Sequence, residues 1–287
     1  MRPRSAANDV PTDSVEVGEF TFDVTAAGPP DGPPTMLLHG FPQTPACWRA
    51  LTPLLTAAGL RVIAPAQRGY SPRARPVGVE HYAMPHLVAD VVGLLDALDI
   101  DSVHLVGHDW GAAVAWALTA AHPERVRTLT AVSVPHPGAF SRARRENDDQ
   151  RDRSRYIDLF RDGDRAERLL LADAGRRLRA VYDDVDPARA DVHVRALTEP
   201  GALTAALSWY RAMDRTMNAL PPVRVPTTYV WSTADTAIGR AGAQMCGEFV
   251  DAPYRFVELD GVSHWIPEVA APALAEAVLA RVKGNER

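Results

Sequence analysis

The segment Gly107-His108-Asp109-Trp110-Gly111 lies between the apolar run Val103 to Val106 and the apolar stretch Ala112 to Leu118. A strand, a tight turn and a helix in that order make a nucleophile elbow, usually G-x-S-x-G, and here the central serine is Asp109. Its two glycines let neighbouring backbone pass where a side chain would clash, and the following helix aims free amides back at the carboxylate. With an ordinary pKa of about 3.9, a carboxylate is ionised at neutral pH and can attack without a base. Attack on an acyl carbon would give an anhydride, whereas attack on saturated carbon gives an ordinary ester. The expected substrate therefore carries an electrophilic sp3 carbon, in a strained ring or bearing a halogen.

Outward from the elbow, short apolar strands alternate with helical stretches. An antiparallel pair, Val15 to Val17 and Phe20 to Thr25, is expected to open the sheet. Further strands are expected at Thr35 to Leu38, Arg61 to Ala64, Val103 to Val106, Leu129 to Val132, Thr227 to Trp231 and Tyr254 to Leu259. Helices are expected at Pro45 to Ala58, Tyr82 to Leu98, Trp110 to Ala121 and Pro272 to Val282, the first opened by Pro45 behind a Thr44 cap. This alternation implies an α/β fold with a mostly parallel sheet covered by helices on both faces.

Between His136 and Leu220 the strand rhythm stops. Helical patterns run over Asp164 to Leu171, Pro187 to Leu197 and Leu203 to Met217, and the charge-dense run Arg142 to Arg155 reads as a solvated helix face and linker. The expected organisation is a tail over 1–13, a core over 14–135, an all-helical cap over 136–220 inserted after the sixth strand, and the rest of the core over 221–287.

Composition narrows the function classes. The chain has 287 residues, 46% of them hydrophobic, enough for a buried core, and a formal net charge of -5. Without a Lys/Arg block, neither nucleic acid nor an anionic membrane is expected as a partner. Met1 to Asp13 holds no apolar segment that could act as a signal, which implies a cytoplasmic protein. Cys47 and Cys246 read as two buried thiols rather than a disulfide framework or a zinc motif. The histidines show no metal-ligand grouping, and neither metal nor cofactor is expected.

Four loops that follow strands carry polar residues: His39 to Pro42, Asp109, Asp235 and His264. In open α/β sheets ligands bind beyond the carboxyl ends of the strands, so these loops should converge. The order Asp109, Asp235, His264 is that of nucleophile, acid and base in an α/β-hydrolase triad. From about Val15 onward the chain resembles an α/β-hydrolase of the epoxide hydrolase type. His39-Gly40-Phe41-Pro42 is similar to the H-G-x-P oxyanion motif of those enzymes. RSRYIDLF with Tyr156 and SWYRAMDR with Tyr210 resemble the two lid segments that carry the family's ring-opening tyrosines.

The resemblance implies a covalent ester on Asp109, ring opening assisted by Tyr156 and Tyr210, and hydrolysis by water that His264 activates with the support of Asp235. Backbone N–H groups of Phe41 and Trp110 would form the oxyanion hole. Physical chemistry gives the tyrosines a reason of their own, since an epoxide expels a basic alkoxide that needs a proton donor, whereas a halide does not. Trp110, Phe41, His136, Phe160 and Trp209 are expected at the substrate, although His136 also reads as a lid hinge and Tyr156 and Tyr210 also suit lid packing. The expected partners are a small-molecule epoxide and water, with the protein a monomer or homodimer. Alternatives are a haloalkane or haloacid dehalogenase on the same scaffold, and a non-catalytic binding protein. Phe41 supplies no second halide donor, and Trp110 stands where fluoroacetate dehalogenases carry arginine.

Overall fold

The computed structural model describes residues 12–214 and 216–285. Eight strands form one sheet: β1 (Thr12–Val17), β2 (Phe20–Ala27), β3 (Pro34–Leu38), β4 (Arg61–Pro65), β5 (Val103–His108), β6 (Val126–Val132), β7 (Thr227–Ser232) and β8 (Tyr254–Leu259). Their spatial order is β1-β2-β4-β3-β5-β6-β7-β8. β1 pairs antiparallel with β2 and β2 with β4, and every other pairing is parallel. Of the tail expected over 1–13, only the last two positions are described, and they begin β1; the rest lies outside the described residues.

Alternation along the buried strands builds two cores, because successive side chains point to opposite faces. Met36, Leu38 and Leu105 join one cluster, with α2 (Met84–Ala97), α3 (Trp110–Ala121) and residues beyond β6; Leu37 and Val106 join the other. That second cluster packs against α1 (Thr52–Ala57) and α12 (Ala271–Asn285). α3 is buried continuously from Trp110 to Thr119, which its small residues permit.

Among the described residues six α-helices lie between β6 and β7: α4 (Pro137–Glu146), α5 (Asp148–Arg153), α6 (Tyr156–Arg161), α7 (Arg165–Ala180), α8 (Pro187–Leu197) and α9 (Ala202–Arg211). α10 (Arg240–Met245) and α11 (Ile266–Val269) follow β7 and β8.

Several boundaries differ from the sequence reading for identifiable reasons. The helix expected over Pro45 to Ala58 is a 3-10 turn at Pro45–Arg49 followed by α1, because Pro53 in the first turn of α1 has no N–H to continue the ladder. In the same way Tyr82 ends a separate 3-10 turn, and α2 starts at Met84 with a proline in its first turn. α9 stops at Arg211 rather than running to Met217, and the Arg161 guanidinium there caps the carbonyls of Tyr210 and Met213 at 3.2 and 3.0 Å. α7 extends past Leu171 but is broken by non-helical backbone at Ala172 to Gly175. The charge run, expected to be a helix face with linker, is nearly all helix, with Asn147 capping α5 through the Gln150 N–H at 2.9 Å. α10 was not expected at all.

A methyl group on Gly111 would collide with the carbonyls of Leu38 and His39. Gly111→Ala should therefore lower unfolding stability by about 1–3 kcal/mol in chemical denaturation, and an unchanged midpoint would contradict this close approach.

Candidate active site

Asp109 occupies the turn between β5 and α3 with φ 52° and ψ -120°. For a residue with a side chain this costs about 1–3 kcal/mol, and surrounding bonds hold it in place. Its N–H reaches Val132 O at 3.2 Å, while its own carbonyl accepts from Ala112 and Ala113. The loop after β3 passes so close that a Cβ on Gly40 would overlap the Asp109 carboxylate. That proximity delivers the Phe41 N–H to Asp109 Oδ1 at 2.7 Å. Trp110 is the first residue of α3, so its N–H has no intrahelical acceptor.

The second carboxylate oxygen faces His264. His264 Nε2 lies 3.6 Å from Asp109 Oδ2, and Nδ1 donates to Asp235 Oδ2 at 2.8 Å. The other Asp235 oxygen accepts the N–H groups of Ala237 and Ile238 at 2.8 and 2.9 Å. Burial alone would raise the Asp235 pKa, but the His264 charge and these donors hold it below the ordinary carboxylate value. For His264, burial disfavours the imidazolium, yet Asp235 and Asp109 prevail and push it up to about 10. His264 is therefore held protonated between Asp235 and Asp109.

Three further histidines support the backbone around these groups. His39 Nε2 accepts the Gln67 N–H at 3.3 Å, so Nδ1 carries the proton towards Gly40 O at 3.2 Å; burial depresses its pKa to about 3. His108 donates from Nε2 to His264 O at 2.9 Å, and burial brings it to about 4. Ser133 Oγ donates to the same carbonyl at 3.1 Å. His136 caps α4 by accepting the Gly138 N–H at 3.1 Å and donates towards Pro221 O at 3.3 Å. It thus joins the start of the helical insertion to its end.

A cavity opens above Asp109. Asp109, Tyr156 and Tyr210 form its polar end; Trp110, Ala113, Val134, Pro137, Phe140, Ile157, Met213, Met217 and Ile238 form the rest. The structure therefore brings both tyrosines to the same space as Asp109. Burial pushes the Tyr156 and Tyr210 phenols up, and the Asp109 charge pushes them further, so both are held protonated as donors.

Four of the five expected substrate contacts, His136, Trp209, Phe160 and Phe41, are not in the cavity wall, and only Trp110 is. His136 is turned into the hinge and stacks on Phe249 at 4.8 Å. Trp209 points its indole N–H to Arg68 O at 3.0 Å and packs its ring on Trp110 at 5.6 Å. Phe160 stands behind the tyrosines, 5.3 Å from Tyr156 and 5.0 Å from Tyr210. Phe41 reaches the site through its amide, while its ring packs against Phe160 and Tyr210 at 5.2 and 5.4 Å.

Other groups that hold the site were not expected from the sequence. His193 on α8 accepts the Thr44 N–H at 3.1 Å and donates from Nε2 to Glu268 at 2.9 Å. Tyr182 donates to Pro42 O at 2.6 Å. The insertion thus clasps both the loop that carries Phe41 and the segment just after His264. Among the described residues, no cluster of three or more His, Cys, Asp or Glu is arranged to hold a metal ion, and no helix is long and apolar enough to cross a membrane.

A strand–turn–helix elbow carrying Asp109 on a central parallel strand, with Asp235 and His264 on the loops after β7 and β8, is the arrangement that the α/β-hydrolase triad order describes. The chain belongs to the α/β-hydrolase fold family, whose pattern matches residues 33–271. Among its relatives, epoxide hydrolase A of Mycobacterium tuberculosis is 32% identical over 95% of this chain and 97% of its own. The AB hydrolase superfamily protein YfhM of Bacillus subtilis is also 32% identical, over 94% of this chain and 97% of its own. The crystal structure of epoxide hydrolase A from Mycobacterium thermoresistibile superposes with a TM-score of 0.84 at 27% identity, covering 96% and 98% of the two chains.

The protonated His264 gives a pH signature. His264 in the free protein should titrate near 10 in an NMR experiment on labelled histidine. Asp235→Asn removes an opposite charge and should bring that value down. A free-protein titration near the ordinary value of about 6.5 would contradict the arrangement.

Proposed function

We propose that the protein hydrolyses epoxides to vicinal diols through a covalent ester on Asp109. The observation that carries this reading is the placing of Asp109, Tyr156 and Tyr210 at the polar end of one otherwise apolar cavity. A nucleophile for saturated carbon and two donors for the departing oxygen are what ring opening requires. The names of the relatives support the same reaction.

The two carboxylate oxygens divide the work. Oδ1 is held by the Phe41 N–H, so Oδ2 attacks the epoxide carbon as the C–O bond of the ring breaks. The electron pair passes to the ring oxygen, which Tyr156 and Tyr210 stabilise and protonate. Ester formation also removes the Asp109 charge, and with it one cause that raises both phenols. The tyrosines thus become more acidic as the alkoxide forms.

Hydrolysis uses the other half of the site. Once Asp109 is an ester, His264 passes the proton it holds at rest to the phenolate left by ring opening or to solvent; water then adds to the Asp109 carbonyl carbon and gives its proton to the freed imidazole, whose ring Asp235 orients. Negative charge then develops on Oδ1, where the Phe41 N–H already lies at 2.7 Å, a donor worth about 3 kcal/mol in such a step. Collapse releases the diol, whose departing oxygen takes the remaining hydroxyl proton of the tetrahedral species, and restores the Asp109 carboxylate beside the protonated His264 of the resting site. In the ester only Asp235 of the two carboxylates still raises His264, so it acts as a base below its resting pKa.

Among the described residues, beyond Asp109 and the two tyrosines, the walls are hydrocarbon, thioether and the Trp110 indole, with no lysine or arginine lining the cavity. The substrate we propose is an epoxide with an apolar substituent.

In His264→Gln the ester should form and persist, its hydrolysis slowed on the order of 10²–10⁴-fold, and intact-protein mass should rise by that of the epoxide. Absence of an adduct, or turnover at the native rate, would refute the two-step route. One turnover in ¹⁸O water should put the label first into Asp109. Tyr156→Phe and Tyr210→Phe should each slow ring opening roughly 10²-fold, followed as diol release from styrene oxide. Halide release from a chlorinated or brominated alkane at a greater rate would favour dehalogenation instead. A carboxylate-bearing epoxide should turn over on the order of 10²-fold less efficiently than styrene oxide; equal efficiency would contradict the apolar assignment.

A further inference from the structure

Gln150 on α5 is fully buried within a run of otherwise charged residues. Its Nε2 donates to Ala237 O at 2.9 Å and to Ser154 Oγ at 3.1 Å, and its Oε1 accepts the Gly239 N–H at 2.8 Å. One amide thus binds two peptide groups of the loop after β7. The N–H groups of Ala237 and Ile238, in that same loop, fix Oδ1 of Asp235 and leave Oδ2 for His264. One turn away on α5, Arg153 donates to Asp235 O at 2.6 Å and is itself held by Asp149 at 2.8 Å.

The same amide reaches the ring-opening side of the site. Ser154 donates back to Gln150 O at 2.7 Å and stands two residues before Tyr156. Ile238, pinned between the two loop peptides that Gln150 holds, forms part of the cavity wall. A leucine or methionine would fill this volume without desolvating an amide, so packing alone does not call for glutamine. A buried amide with its donors and acceptor satisfied across two segments fixes their relative position, which an apolar side chain does not.

We propose that Gln150 is a positioning residue that sets the Asp235–His264 contact from the helical insertion and holds it in register with Tyr156. Arg153 acts on the same loop from beside it. Neither touches substrate. The kinetic part of this proposal rests on the epoxide-hydrolase reading; the structural part does not.

The test uses Gln150→Leu, which removes all three bonds, Gln150→Glu, which keeps the acceptor and loses the donors, and Arg153→Ala. Arg155→Ala, on an exposed side chain of the same segment, is the control. The substrate-free readout is the downfield proton resonance of the His264 Nδ1–H bonded to Asp235, in ¹⁵N-histidine protein. It should shift or broaden in Gln150→Leu and to a lesser degree in the other two variants, and stay in place in Arg155→Ala.

With an epoxide, kcat should fall about 10- to 100-fold in Gln150→Leu, with KM little changed. The titratable groups facing His264 are Asp109, Asp235 and His108. Loosening Asp235 lowers the basicity of His264, so the acid limb of kcat should move to lower pH by on the order of half a unit or more. A merely structural role would lower the melting temperature and leave the resonance and the acid limb unmoved, and that result overturns the proposal. If Gln150→Leu does not fold, Arg153→Ala and Gln150→Glu decide it by the same readouts. If the native protein opens no epoxide, the functional reading fails, and the resonance alone decides the role of Gln150.

Discussion

The site depends on a buried carboxylate whose two oxygens have different surroundings. Asp109 is only 6% exposed, and a charge so placed persists only where donors and counter-charge meet it. The Phe41 amide takes one oxygen and the His264 side supplies counter-charge to the other. In the reaction we propose, this division assigns the attacking oxygen and the carbonyl oxygen before any substrate arrives. It also accounts for the strained backbone at Asp109, since a relaxed turn would not present the carboxylate to both groups.

In the proposed reaction, charge moves through the site in a closed cycle. Asp109 raises His264 and both phenols while it is ionised, and releases all three when it becomes an ester. Groups that must hold their protons before ring opening are thereby the ones that can give up or take protons after it. No conformational change is required for this exchange of roles. What is required is that the helical insertion and the core keep a fixed geometry, and buried polar contacts from Gln150, Tyr182 and His193 run between them.

Much of the architecture was legible because its causes are local. GHDWG names its own turn, and short apolar runs separated by helical periods specify a parallel sheet, so the strand and helix types agree with the sequence reading along the core. Tyr156 and Tyr210 could be selected because RSRYIDLF and SWYRAMDR resemble the lid segments of epoxide hydrolases, with the need of ring opening for proton donors as the physical case beside it, and the structure puts both at the cavity. The bonds that brace the site were not legible. Gln150 sits in a run whose charges suggest a solvated surface, and only the fold turns that one residue inward. His193 lies on the apolar face of α8 with Ala190, Val194 and Leu197, a pattern that marks burial but not the identity of a partner 75 residues away. His136 and Trp209 were placed at the substrate by proximity in sequence. Their ring nitrogens instead satisfy backbone groups of the hinge and of Arg68.

The bond between His136 and Pro221 brings together the two points where the chain leaves and re-enters the sheet. A segment whose ends meet can change length or shape while the strands on either side keep their register. Diversification of such an insertion is thus mechanically decoupled from the scaffold that carries the nucleophile. It stays coupled at the polar clasps, so any exchanged segment that preserved the sheet would still have to bring its own equivalents of Gln150 and His193. Inheritance of a new pocket shape is in that sense cheap in fold and demanding in a handful of buried side chains.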